Sequence, residues 1–166
     1  MNELKYKKQW FSDLIATWFL IGNLRPAAGT WGSVAALPFA ILLWMFWGSV
    51  GLLGACLLLF PLAVWAAHLY GIHHGEYDHS SIVIDEVVGQ WIVFLFLPPF
   101  MGMTTGMIFL YCGAAFALFR LFDITKPFPV SYFDRHVKNG FGVVMDDVVA
   151  GIMAGLMIMA ARLWIF

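Results

Sequence analysis

The chain has 166 residues, of which 62% are hydrophobic and 11% are charged, and its formal net charge is −1 at pH 7. Its mean hydropathy is +0.85. A soluble domain of this size exposes a large fraction of its residues and could not hide so much apolar surface, so the composition predicts an integral membrane protein. Nucleic acid is excluded as a partner, because binding to phosphate backbones needs a cationic surface.

The first 24 residues predict an amphipathic helix that lies on the membrane surface. Residues 1–8 are polar and basic, and adjacent apolar pairs then recur four positions apart, at Trp10–Phe11, Leu14–Ile15 and Trp18–Phe19. This spacing places the pairs on one face of a helix. A short first membrane span is the alternative, but Asp13 would be costly to carry into hydrocarbon. We therefore predict a single domain, 1–166, with an interfacial segment, 1–24, and a helical bundle, 25–166.

Five apolar segments follow and predict an all-α bundle with about four to five membrane segments. They cover residues 33–47, 50–70, 82–97, 104–121 and 143–166. A full span needs about 20 residues, with about 17 as the lower limit, so the first and third segments are short for complete crossing. Glycine at position 48 and the prolines at 98 and 99 predict breaks between segments, because glycine and proline interrupt helices.

The distribution of basic residues predicts which side of the membrane each connection occupies. Eight of the nine basic residues fall on one face of the predicted bundle, and Arg162 is the exception. The eight are Lys5, Lys7, Lys8, Arg25, Arg120, Lys126, Arg135 and Lys138. The positive-inside rule makes this face cytoplasmic and the protein multi-pass.

Three acidic clusters stand at helix ends on the same face: Asp85–Glu86, Asp123 and Asp146–Asp147. Their mutual repulsion would raise the pKa values of these carboxyl groups unless a metal or basic side chains neutralise them. Carboxylate oxygens are hard ligands that suit Mg²⁺ or Mn²⁺ better than zinc. The alternative interpretation is that individual acids cap the positive N-termini of helices.

Helical periodicity predicts that two of these clusters meet. Asp85 and Glu86 share one helix face, and Asp146 and Asp147 share one face of the last helix. Small or polar residues follow on the same faces, at Gly89, Gln90, Ala150, Gly151 and Ala154. Because small residues allow close helix contact in lipid, packing of these faces would gather four carboxylates.

A second group of polar residues predicts an anion-binding turn before the first apolar segment. Gly29, Thr30 and Ser33 can direct backbone N–H groups and hydroxyls at an anion, although capping of a helix by Ser33 explains part of the pattern. The turn is not a Walker loop, because the Gly-Lys-Ser/Thr ending is missing. Arg25 and Lys126 flank the carboxylates from the same side. Cations beside carboxylate-held Mg²⁺ at headgroup level indicate a site for a phosphorylated lipid.

Four motifs, in order, resemble the phosphatidylglycerophosphatase A family. They are Gly29–Ser33 with Ala36–Pro38, Asp78–His79 leading to Ile82–Gly89, Phe122–Pro127, and Gly142–Gly151. The resemblance implies an all-helical, Mg²⁺-dependent enzyme of the bacterial inner membrane. It also implies the reaction, the dephosphorylation of phosphatidylglycerophosphate to phosphatidylglycerol in phospholipid biosynthesis.

On this resemblance each predicted residue receives a role. The metal ligands, directly or through water, would be Asp85, Glu86, Asp123, Asp146 and Asp147. The phosphate would be held by Arg25, Gly29, Thr30, Ser33 and Lys126. Asp78 or His79 would orient the attacking water or protonate the leaving oxygen. Direct attack by water is preferred to an aspartyl-phosphate on Asp123, because the two spaced aspartates of haloacid dehalogenases are not found around it.

A cation- or proton-coupled small transporter is the alternative function. Such a protein would also keep carboxylates in a helical bundle. It would place them near the midplane and between repeats, whereas here they gather at one rim and no internal repeat is visible.

Overall fold

The computed structural model describes the backbone of residues 2–165 and the side chains of residues 9–164. Six α-helices make up the fold: α1 (Asn2–Ala16), α2 (Ala28–His74), α3 (Ile84–Phe94), α4 (Thr105–Thr125), α5 (Val130–His136) and α6 (Gly140–Ile165). A single 3₁₀ turn, Ile21–Asn23, follows α1. No strand occurs in the described backbone, so the all-α prediction is confirmed there. The basic side chains of Lys5, Lys7 and Lys8 lie outside the described range.

Three helices, α2, α4 and α6, are long and apolar enough to cross a membrane. The described residues thus contain three such helices, fewer than the four to five membrane segments predicted, and one of the three, α2, is kinked at Gly48. Two predicted segments, 33–47 and 50–70, belong to one helix, α2. The predicted segment 82–97 contains only the 11-residue α3, which is about 16 Å long and shorter than the hydrocarbon core of about 30 Å.

The 47-residue helix α2 bends sharply at Gly48, where φ is 63° and ψ is −160°. A straight helix of this length would extend about 70 Å. However, Arg25, just before α2, hydrogen-bonds Ser81, only seven residues after α2 ends. Seven residues of chain reach at most about 25 Å, so the two ends of α2 lie close together. The predicted break at Gly48 is confirmed, and we call 28–47 the first arm and 49–74 the second arm.

The short helix α3 occupies the core of the bundle. Val87, Val88, Val93 and Phe94 are fully buried, because α3 packs against both α2 and α6. The indole N–H of Trp91 donates to the carbonyl of Ala36 in the first arm at 3.1 Å. Its apolar run is therefore explained by burial in protein, which a hydropathy profile does not distinguish from burial in lipid.

The outer surface of the bundle is strongly apolar. Leu57 and Leu58 in the second arm are 67% and 78% exposed, and Phe109 and Leu110 in α4 are 74% and 71% exposed. Contiguous apolar surface of this extent would be unfavourable in water and is covered when the protein lies in a bilayer. The structure thus agrees with a membrane protein.

The N-terminal segment forms a helix as predicted, but its aromatic residues divide between two environments. Trp10 and Phe11 are exposed, as expected for a surface helix. Trp18 is buried beyond the end of α1 and packs edge-on against Phe39 and Trp91. The prediction that Trp18 belongs to the interfacial face is therefore wrong, because the chain turns into the bundle after Ala16.

Candidate active site

A cavity of about 480 Å³ opens at the end of the bundle where α2 begins and α4 ends. Ten of the twelve predicted site residues line this cavity. Its lining consists of Arg25, Ala27, Ala28, Gly29, Asp78, His79, Ser80, Ile82, Asp85, Glu86, Arg120, Asp123, Ile124, Lys126, Val143, Asp146 and Asp147. Residues that are more than 100 positions apart in the chain thus meet at one end of the bundle.

Close contact between α3 and α6 brings the two acidic pairs together. A Cβ atom on Gly151 would lie 2.4 Å from the carbonyl oxygen of Gly89, and a Cβ on Gly89 would lie 2.7 Å from the carbonyl oxygen of Asp147. The backbones touch at this point, so neither glycine can carry a larger side chain without movement of a helix. The predicted packing of the two carboxylate faces is confirmed.

Replacement of Gly151 by alanine should therefore destabilise the bundle by about 1–3 kcal/mol, because the added methyl group overpacks the contact. The change should appear as a lower midpoint of thermal unfolding in detergent. Gly113→Ala is the matched control, since a Cβ at Gly113 in α4 would meet nothing within 4 Å. Equal midpoints for the two variants would show that α3 and α6 do not pack this closely.

Three carboxylates form the tightest acidic group in the cavity. Asp85, Glu86 and Asp147 each offer one oxygen, and these oxygens all lie within 4.8 Å of one another. Asp85 and Asp147 are buried, and the second oxygen of Glu86, Oε2, is buried without a hydrogen-bond partner among the described residues. One cation could contact all three side chains, and hard carboxylate oxygens are the ligands that Mg²⁺ accepts.

The acidic pair in α3 holds its protons more tightly than isolated carboxyl groups do. Burial raises the pKa of Asp85, and burial together with the charge of Asp85 raises the pKa of Glu86 well above its usual range. A bound cation would oppose both effects, because it favours the charged form of each carboxyl group.

The other two predicted metal ligands have basic partners. Arg120 Nη1 donates to Asp123 Oδ2 at 2.5 Å, and Lys126 Nζ donates to Asp146 Oδ2 at 2.8 Å. Lys126 also donates to Asp134 in α5. Burial alone would lower the pKa of Lys126, but the carboxylates of Asp146 and Asp134 outweigh it and raise this pKa. The five predicted ligands thus divide into one group of three and two ion pairs.

Helix capping explains part of the acidic pattern. The α3 pair lies in the first turn of its helix, where the macrodipole stabilises negative charge. By contrast, α6 begins at Gly140, so Asp146 and Asp147 lie well inside the helix, not at its start as predicted. Asp123 lies in the last turn of α4, at the negative end of the dipole. Capping therefore accounts for two of the five acids, and three need another explanation.

Three of the predicted phosphate-binding residues line the cavity, and two do not. Arg25, Gly29 and Lys126 belong to the lining. The hydroxyl of the buried Ser33 donates to the carbonyl of Gly29 at 2.9 Å. Since α2 begins at Ala28, Ser33 lies inside the helix and does not cap it, and Thr30 also lies outside the lining. The first turn of α2 faces the cavity in their place.

The loop before α3 holds the predicted acid–base residues next to Arg25. Arg25 Nη2 donates to the hydroxyls of Ser80 and Ser81, each at 3.2 Å. His79 Nδ1 accepts the backbone N–H of Ser81 at 3.2 Å, so a neutral His79 carries its proton on Nε2. Asp78 and His79 both line the cavity, as predicted.

The structure adds Arg120 to the residues that sequence analysis assigned to the site. Its guanidinium lies 3.8 Å from Glu86 Oε1 as well as contacting Asp123, and its side chain is only 15% exposed. The signal was present in the sequence, because Arg120 precedes Asp123 by three residues and so lies on the same face of α4. Sequence analysis places Arg120 only among the basic residues of the predicted cytoplasmic face.

Comparisons with known proteins agree with the cavity's chemistry. Residues 14–162 match the family model described as phosphatidylglycerophosphatase A. A phosphatidylglycerophosphatase A from Haemophilus influenzae is 40% identical over 91% of this chain and 88% of its own length. One from Escherichia coli is 34% identical over 98% and 90%. A putative phosphatidylinositol-3-phosphatase from Bacteroides thetaiotaomicron is 39% identical over 92% and 93%. No solved structure matches the chain significantly.

Proposed function

The chain belongs to the phosphatidylglycerophosphatase A family and is a phosphatase, and from that premise we propose that it hydrolyses phosphatidylglycerophosphate in a Mg²⁺-dependent reaction. Water would cleave the terminal phosphomonoester, leaving phosphatidylglycerol and phosphate. The main support for a metal ion is the group of three carboxylate oxygens that lie within 4.8 Å of one another. It lies in a cavity that basic side chains also line, as a phosphate site requires.

The residues of the cavity fit Mg²⁺ by their chemistry. Asp85, Glu86 and Asp147 would hold the ion. Asp123 and Asp146 would lie nearby, paired with Arg120 and Lys126. Three carboxylates whose oxygens lie within 4.8 Å of one another need a positive group to balance their charge. When bound, the ion supplies electrophilic stabilisation of the phosphoryl oxygens and a lower pKa for the attacking water.

Basic groups of the chain would bind and orient the phosphate. Arg25, Arg120 and Lys126 approach the cavity from the loop before α2, the last turns of α4 and the residue after α4. The first turn of α2 adds backbone N–H groups, which helix N-termini commonly direct at phosphates. These fixed donors stabilise the negative charge that develops on the phosphoryl oxygens during transfer.

A proton must reach the leaving glycerol oxygen, and Asp78 or His79 would supply it or orient the attacking water. In the geometry seen, Nδ1 of His79 accepts from the backbone, so a neutral His79 carries its proton on Nε2 and would orient a water or a phosphoryl oxygen by donating a hydrogen bond. We prefer direct attack by water to an aspartyl-phosphate on Asp123, since one carboxylate oxygen of Asp123 accepts from Arg120 and is less available as a nucleophile.

We further propose that the cavity faces the cytoplasm from a bacterial inner membrane. Arg25, Arg120 and Lys126 line the cavity, and Arg135 and Lys138 lie in or just after α5, the short helix that follows Lys126. A concentration of basic residues at one end of the bundle agrees with the positive-inside rule. The acyl tails of the substrate would remain among the membrane lipids while the phosphate enters the cavity. The position of the acids at one end of the bundle also favours a phosphatase over the transporter alternative, which needs ion sites near the midplane.

Phosphate release by the purified protein in detergent tests this proposal. The substrates are phosphatidylglycerophosphate, phosphatidic acid and phosphatidylinositol 3-phosphate, each with Mg²⁺ and with EDTA. We expect release that requires Mg²⁺ and is fastest with the first lipid. Equal rates on all three lipids would contradict the proposed selectivity. A preference for the inositol lipid would mean that this chain has the activity for which the Bacteroides relative is named. No release from any of them would overturn the proposal.

The raised pKa values of Asp85 and Glu86 predict that Mg²⁺ binding depends on pH. Folding raises both pKa values, so the metal-free protein loses stability as the pH rises from the ordinary carboxyl pKa toward the folded value. Mg²⁺ must displace the retained protons. Its apparent affinity should therefore rise roughly tenfold per pH unit for each proton displaced. Thermal shifts at several Mg²⁺ concentrations between about pH 6 and pH 8 measure this, and a pH-independent affinity would contradict it.

A further inference from the structure

Gln90 is a buried polar residue that the proposed reaction does not use. It lies in α3 one turn beyond Glu86, and its side chain is 0% exposed. Neither Nε2 nor Oε1 of its carboxamide has a hydrogen-bond partner among the described residues. Buried polar atoms almost always have partners, and leaving one unsatisfied costs about 1–3 kcal/mol. A carboxamide buried at this position therefore indicates a ligand that satisfies it.

Two neighbouring side chains have the same property. Glu86 Oε2 and Arg120 Nε are also buried without a hydrogen-bond partner among the described residues. Residues four apart on a helix have Cβ atoms about 5–6 Å apart, so Gln90 stands beside Glu86. Arg120 Nη1 lies 3.8 Å from Glu86 Oε1. Four unsatisfied polar atoms thus belong to Glu86 and to two side chains next to it, Gln90 and Arg120.

The chemistry of these atoms identifies the class of ligand. Glu86 Oε2 and Gln90 Oε1 accept hydrogen bonds, whereas Gln90 Nε2 and Arg120 Nε donate them. A water molecule donates two hydrogen bonds and accepts two, and interior waters typically contact about three otherwise unsatisfied polar groups. An additional cation fits less well, because two of the four atoms are donors.

We propose that Gln90 is a positioning residue, which binds an interior water molecule shared with Glu86 and Arg120 and thereby orients the Glu86 carboxylate toward the metal. This inference rests on the metal site of the proposed function. Groups that orient metal ligands are commonly worth about 10–100-fold in metal affinity. Gln90 itself touches neither metal nor substrate in this scheme.

Gln90→Met is the decisive variant, because it keeps the length of the side chain and removes its hydrogen bonds. We expect the Mg²⁺ concentration for half-maximal thermal stabilisation in detergent to rise about tenfold. Phosphate release at saturating Mg²⁺ should stay near the wild-type rate, since the residue acts through the ligand. Gln90→Asn, which retains a carboxamide, should show a smaller shift. Cys112→Ala, a buried change in α4 outside the cavity lining, is the control for general loosening of the bundle.

If Gln90 only fills space in the core, a different result is expected. Gln90→Met would then remove an unsatisfied buried group, raise the thermal midpoint and leave the Mg²⁺ concentration for half-maximal stabilisation unchanged, which would overturn the inference. If Gln90→Met does not fold, Gln90→Leu, which also lacks the carboxamide, takes its place, and an unchanged Mg²⁺ response in that variant overturns the inference equally. A wild-type protein without any thermal response to Mg²⁺ would instead overturn the metal proposal, and this inference with it.

Discussion

Replacement of Asp147 by asparagine should abolish phosphate release while leaving the protein folded in detergent. Asp147 contributes one of three carboxylate oxygens that lie within 4.8 Å of one another, and only 3% of the residue is exposed. Loss of this oxygen weakens metal binding, and with it the stabilisation of the negative charge that develops on the phosphoryl oxygens. Metal ions supply several kcal/mol of such stabilisation, and each 1.36 kcal/mol is tenfold in rate, so the expected loss is on the order of 10³-fold or more.

The stability of the same variant should change in the opposite direction. Without metal, Asp147→Asn removes one of several carboxylates that repel one another, so its thermal midpoint in EDTA should equal or exceed that of the wild type. The stabilisation by added Mg²⁺ should be lost with the activity. Glu76→Gln is the matched control, because Glu76 is an exposed acid outside the cavity lining. A wild-type rate in Asp147→Asn would show that the metal site is assigned to the wrong residues.

Arg120→Met should cause the largest loss of stability among the variants considered, about 3–5 kcal/mol in the metal-free protein. The guanidinium and its two partners, Glu86 and Asp123, are each only 12–15% exposed. Removal of one member of a buried ion pair leaves the other charge uncompensated, which costs far more than loss of an exposed pair. Denaturant unfolding in detergent, with EDTA and with Mg²⁺, measures the effect.

Added Mg²⁺ should restore part of the stability that Arg120→Met loses, since a cation near Glu86 replaces some of the missing positive charge. Arg135→Met serves as the control, because Arg135 is exposed and forms no ion pair among the described side chains. Equal losses in the two variants would mean that Arg120 is not a buried partner of the acidic group.

Much of the fold could be predicted because its signals are local. Hydropathy and helical periodicity indicated the membrane character, the helices and the break at Gly48, each of which depends on neighbouring residues. The close contact between α3 and α6 was also predicted, because Gly89 and Gly151 lie on the same helix faces as the carboxylates. Family membership followed from motifs that are contiguous in the chain, and the comparisons confirm it.

The burial of the segment 82–97 inside the protein, and not in lipid, could not be predicted from these signals. An apolar run of this length has the same composition whether its surroundings are lipid or protein. The structure places α3 in the core, where Val87 and Val88 are fully buried, and so removes one of the predicted spans. Similarly, Trp18 has the sequence pattern of an interfacial residue, but packing against Trp91 draws it into the bundle.

Charge, hydropathy and motifs are properties of short stretches of chain, and they were enough to predict an α-helical membrane phosphatase with an acidic site at one end. The division of that site depends on how the helices pack. The packing pairs Asp123 with Arg120 and Asp146 with Lys126, keeps Asp85, Glu86 and Asp147 together, and leaves Ser33 outside the cavity. The physical reason is that an ion pair or a ligand set depends on distances between helices, which are set by packing of whole surfaces.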